Sequence, residues 1–260
     1  MQAAIEIQGI SVALGGTTIL EDLSLRVYPG RVHALLGRNG AGKSTTFKAL
    51  LGLIPVQSGT ISVFGGPVSQ ESLKQIGSSI NGPALYDHLS ARDNLKIHAS
   101  LLGLPKSEID RVLTLVGLSQ TGKKKARSFS TGMRARLALA IAMLGSPPIL
   151  ILDEPQNGLD PQGISDLRQF LKQWAHAGGT VLVSSHQLGE VSRLADDITV
   201  INGGTTVFSG TADEFRQGGD LEARFLDATA MSNAPTRLAT SPTPTAESMF
   251  GVPQAQEGLL

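Results

Sequence analysis

The 260 residues are 41% hydrophobic and carry 22 basic and 22 acidic side chains, so a sizeable core can form and no global basic field favours nucleic acid. There is no cysteine, which excludes a disulfide framework and a thiolate metal site. The N-terminus MQAAIEIQGI is not read as a signal peptide, and the most apolar stretch, Leu137–Leu152, is broken at Gly145, Ser146, Pro147 and Pro148, short of the roughly 20 residues a spanning helix needs.

In chain order, residues 3–10 and 22–36 read as strands. VHALLG then leads into GRNGAGKST (37–45), which fits G-x-x-x-x-G-K-[ST] in full between a predicted strand and a predicted helix at about 43–51. Gly37, Gly40 and Gly42 let the backbone of Arg38, Asn39, Ala41 and Thr45 curl so that N–H groups face phosphate oxygens. Lys43 reaches the β- and γ-phosphates, and the Ser44 hydroxyl can ligate Mg2+. GTISVFGG (59–66) reads as a hairpin strand.

Residues 71–145 read as mostly helical: ESLKQI, SARDNLKIHASLLG with Ser90 and Asp93 as a capping box, KSEIDRVLTLVGL, and FSTGMRARLALA. In the last of these a Ser-Thr-Gly turn opens a helix, as an anion site does. The basic run Lys123, Lys124 and Lys125 reads as a solvated loop.

From residue 148 strands and helices alternate again: PILILD, a helix after Pro161, TVLVSSH, a helix to Leu194, DITVI, and a hairpin at 204–209. ILILDEP reads as a buried parallel strand ending in two carboxylates. Asp153 is placed to hold Mg2+, and Glu154 to polarise a water for attack on the γ-phosphate. His186 ends a strand expected beside that one, where it can donate to the γ-phosphate. In NGLD, Asp160 also suits a helix cap before Pro161. Residues 231–260, rich in Ala, Ser, Thr and Pro, read as disordered.

Five segments in this order, GRNGAGKST, FSTGM, ILILDEP, NGLD and SSH, resemble the ATP-binding subunits of ABC transporters over about residues 4–218. The resemblance implies an α/β P-loop NTPase core (ABC ATPase) with a β-rich N-terminal subdomain and an inserted helical subdomain. It implies ATP and Mg2+ as cofactors. It also implies two copies paired head to tail, with Ser130, Thr131, Gly132 and Met133 closing over the ATP of the partner copy and Asp160 at the dimer contact.

The FSTGM form is similar to the bacitracin-resistance and lantibiotic-immunity type. That implies an ATPase at the cytoplasmic face of the membrane, powering a separate permease that exports an antimicrobial peptide or drug. Another ABC exporter or importer, or a soluble ABC protein without transport, stays open as an alternative. The family pattern departs at three places: Thr131 and Met133 in the signature, Asn81 where Gln usually contacts Mg2+, and Leu14 where an aromatic usually stacks on adenine. DLEARFLDATA (220–230) resembles the short amphipathic segment that closes many such subunits.

Overall fold

A computed structural model describes residues 2–230 except Pro83 and Gly218, so the expectation for 231–260 lies outside the described residues. Among the described residues, ten strands and nine α-helices form two sheets with helices about the second.

The first sheet is antiparallel. β1 (Ile5–Leu14) and β2 (Thr17–Val27) are joined by Gly15 and Gly16, whose φ of 58° and 81° make a two-residue hairpin turn. The stretch expected as one strand at 22–36 is two. β2 ends at Val27, Pro29 and Gly30 turn the chain, and β3 (Val32–Leu36) enters the other sheet. α1 (Lys43–Leu50) follows the glycine loop. β4 (Ser58–Val63) and β5 (Gly66–Pro67) then complete the first sheet in the order β2-β1-β4-β5.

The 71–145 segment is less helical than expected. After α2 (Gln70–Leu73) the chain forms β6 (Ile76–Ser79), a parallel edge strand of the core sheet. The helical block proper is α3 (Ala91–Leu101), α4 (Lys106–Leu115) and α5 (Thr131–Ala142). β6 was illegible because IGSS is short, half-buried and without alternation. Gly77 is its one cue: a Cβ there would collide with the carbonyl oxygen of Ala142 at the end of α5. Ser90 caps α3 by accepting from Asp93 N at 3.1 Å. The expected reciprocal bond is replaced by the Ser90 hydroxyl donating to the Asp93 carboxylate at 2.6 Å.

β7 (Ile149–Asp153), α6 (Pro161–His176), β8 (Thr180–Ser185), α7 (Leu188–Leu194), β9 (Asp197–Asn202) and β10 (Thr205–Thr211) follow as expected, and α8 (Ala212–Arg216) and α9 (Leu221–Ala230) close the described chain. The core sheet runs β10-β9-β3-β8-β7-β6, parallel except for the β9–β10 hairpin. Side chains of β7 alternate between two cores. Ile149 and Ile151 pack with α1 and the first sheet, while Leu150 and Leu152 pack with the helical block and α6. A sheet covered on both faces explains the unbroken apolar run ILIL. The apolar stretch Leu137–Leu152 is thus the end of α5 plus β7, and no helix among the described residues is long and apolar enough to cross a membrane.

His33 of β3 is fully buried. Its Nε2 meets Thr199 Oγ1 at 2.8 Å, and its Nδ1 has no partner among the described residues. Burial lowers its pKa to about 4 from 6.5. Between these values the unfolded chain binds more protons than the folded one, so stability present above about pH 6.5 is lost as pH falls toward 4. The shift corresponds to about 3 kcal/mol. Urea unfolding at pH 7 and pH 5 is expected to show this slope, and His33→Asn is expected to flatten it. Burial of His98 acts in the same direction.

Candidate nucleotide site

The site sits at the carboxyl ends of β3, β7 and β6, where ligands bind in open α/β sheets. A cavity of about 1020 Å3 there is lined by Arg38 to Thr45, Asn81, Asp153 and Glu154. α1 begins without a side-chain cap and without an acidic residue in its first turn, so its free N–H groups face the cavity as an anion site. Gly42 has φ of 108°, and a Cβ on it would stand 2.5 Å from Leu20 Cδ2. Lys43 is buried and donates to the Gly37 carbonyl at 2.8 Å and the Arg38 carbonyl at 3.4 Å, which fixes the curl of the loop.

The end of β7 is tied to its neighbours by hydroxyls. Asp153 accepts from Ser44 Oγ at 2.8 Å and from Ser184 Oγ at 2.5 Å. Glu154 leaves the strand at φ 49°, a left-handed backbone that Ser184 Oγ supports by accepting the Glu154 N–H at 2.9 Å. Its Oε2 accepts from His186 Nδ1 at 2.8 Å and from Gln156 Nε2 at 2.9 Å, and its Oε1 lies 3.9 Å from Lys43 Nζ. The strand adjacency expected for His186 holds: β7 and β8 are parallel, with Asp153 level with Ser184. Asn81 follows β6, whose Ser79 is level with Leu152, so two further residues bring it to the level of Glu154. Its φ of 58° turns the chain beside the cavity it lines.

Mg2+ is a hard cation that takes oxygen ligands and binds through one or two carboxylates together with phosphates and water. Ser44 and Asp153 already touch, and both offer oxygen at the phosphate end of the cavity, so the donor set fits. No group of three or more His, Cys, Asp or Glu is assembled for a metal among the described residues.

Two sets of expected residues lie elsewhere. Leu14, at the tip of β1, is 42% exposed and does not line the cavity, whereas Ile19 of β2 does. Ser130, Thr131, Gly132 and Met133 also stand outside it. Ser130 caps α5 by accepting from Met133 N at 3.2 Å. Thr131 packs so closely on Gly158 of the NGLD turn that a Cβ there would collide with it. Asp160 caps α6 by accepting from Gly163 N at 2.8 Å. Arg134 pairs with Asp87 at 2.6 Å, and Arg136 lies 3.9 Å from Asp166. Gln156, Ser184, Ser185 and Ile19 were not anticipated. The two serines ending an apolar strand were the available signal for Ser184 and Ser185, and nothing in the sequence marked Gln156.

The profile of the ABC transporter family matches residues 20–157. The chain belongs to that family. It is an ATP-binding subunit of an ABC transporter, and an ATPase. It is 43% identical over 209 residues to the lantibiotic transport ATP-binding protein SrtF of Streptococcus pyogenes, covering 80% of this chain and 91% of that one. It is 41% identical over 209 residues to the bacitracin transport ATP-binding protein BcrA of Bacillus licheniformis, covering 78% and 68%. Among solved structures, an ATP-binding subunit of an ABC transporter superposes with a TM-score of 0.80 at 30% identity, covering 86% of this ATPase and 99% of that chain. A second, cbiO1 from Clostridium perfringens, described as part of the ABC transporter complex cbiONQ, gives a TM-score of 0.74 at 26% identity, covering 87% and 95%.

Proposed function

We propose that two copies of this ATPase pair head to tail on ATP, the P-loop of each facing residues 130–133 of the other. One observation carries this reading: within a single chain the P-loop lines the cavity, while Ser130 to Met133 stand outside it even though Ala135 and Arg136 of the next turn of α5 reach it. Yet α5 begins with Ser130, Thr131 and Gly132, has no acid in its first turn, and offers free N–H groups suited to an anion.

In this reading Lys43 and the N–H groups of residues 38–45 bind the phosphates. Ser44 and Asp153 would hold Mg2+, with Asn81 beside them; when bound, such an ion would supply charge neutralisation at the phosphate oxygens. Glu154 Oε1 takes the proton of the attacking water, and His186 donates to phosphate oxygen. The base of ATP lies against Ile19, which takes the place expected for Leu14.

The names of the relatives support the cargo class. The subunit powers a separate membrane permease from the cytoplasmic face, exporting an antimicrobial peptide or drug. Light scattering tests the pairing. Glu154→Gln is expected to shift from monomer to dimer with ATP and Mg2+, and Ser130→Arg added to it is expected to abolish the shift. A monomer at saturating ATP in the single variant would overturn ATP-driven pairing of the isolated chain.

A further inference from the structure

Gln156 belongs to none of the motifs, yet it is only 6% exposed and sits against the proposed base. Its amide nitrogen donates one N–H to Glu154 Oε2 at 2.9 Å and the other to Ser185 Oγ at 2.7 Å. A carboxylate oxygen only accepts, so the nitrogen must face Glu154 and the flipped amide is excluded. Ser185 is itself held, its Oγ accepting from Gln187 N at 3.0 Å. The amide is therefore fixed from both sides, by Glu154 just past β7 and by Ser185 at the end of β8.

The other donor on the same oxygen is His186, half of whose side chain is exposed. For the same reason its Nδ1 must carry the proton that Glu154 accepts. In the neutral ring Nε2 then has no proton to give. To donate to a phosphate oxygen while neutral, His186 has to turn away from Glu154. Gln156 then remains as the donor that keeps Oε2 in place and leaves Oε1 on the Lys43 side, at 3.9 Å from Nζ.

We propose that Gln156 is a positioning residue for hydrolysis: it clamps Oε2 of Glu154 so that Oε1 faces the attacking water while His186 moves. This rests on the reading of Glu154 as the general base. Steady-state ATP hydrolysis by the full chain tests it. Gln156→Met keeps the length and removes the donor. It is expected to lower kcat by about 10–100-fold, the worth of one charge-assisted hydrogen bond, with KM for ATP unchanged. Gln156→Glu sets an acceptor against an acceptor and is expected to lose at least as much; it serves as the test if Gln156→Met does not fold.

In a Glu154→Gln background, Gln156→Met is expected to cost nothing further. A wild-type kcat in Gln156→Met beside an inactive Glu154→Gln overturns the positioning role alone, as does an additive loss in the double variant. A wild-type rate in Glu154→Gln overturns the base reading, and the positioning role with it.

Discussion

Glu154→Gln is expected to lower kcat for ATP hydrolysis by about 10²–10⁴-fold while ATP still binds. The two side chains have the same shape, and the amide oxygen can still accept from Gln156 and His186 as the carboxylate does at 2.9 and 2.8 Å. The variant removes the basicity and the ion pair of Oε1 with Lys43 Nζ at 3.9 Å. The left-handed backbone at residue 154, φ 49°, depends on Ser184 and not on the charge, so the strand end stays in place. Hydrolysis at the wild-type rate would remove Glu154 from the chemistry and leave the carboxylate as a structural partner of Lys43.

Lys43→Ala is expected to weaken ATP binding by about 100-fold, roughly 3 kcal/mol, as befits a lost charged hydrogen-bond donor. Lys43 is buried, and its ammonium faces the carbonyls of Gly37 and Arg38 as well as the cavity. Alanine therefore removes the cation for the phosphates and unties the loop together. Titration with a fluorescent ATP analogue measures the loss, and the melting temperature without nucleotide reports the untied loop separately. Affinity equal to wild type would mean that the α1 N–H groups alone hold the phosphates.

The core of this site was legible because its residues follow each other in sequence. A glycine loop between a strand and a helix, and two acids after four apolar residues, each state a local geometry that the chain cannot easily evade. The adjacency of the strand before His186 to the one ending in Asp153 was legible one step further, and the parallel pairing of β7 with β8 brings their ends together. β6 was not, because an edge strand of four half-buried residues carries no period. Its loss made the segment from residue 71 read as helix.

Leu14 was assigned by resemblance at a hairpin tip, and hairpin register decides which side chains reach a cavity. With Leu14 opposite Thr17, Ile19 is the β2 residue that lines it. Gln156 was illegible for another reason: its meaning lies in two bonds to residues 154 and 185, and the second spans 29 positions.

The composite site is the central claim, and mixing two impaired variants tests it most directly. Lys43→Ala has a disabled P-loop and an intact start of α5; Ser130→Arg has the reverse. At an ATP concentration near the wild-type KM, each alone should hydrolyse ATP far more slowly than the wild type. Mixed, they can form a pair in which the P-loop of one meets residues 130–133 of the other, and hydrolysis should reappear well above the sum of the two. A mixture no more active than its components, or a fully active Ser130→Arg variant by itself, would contradict a site shared between two chains.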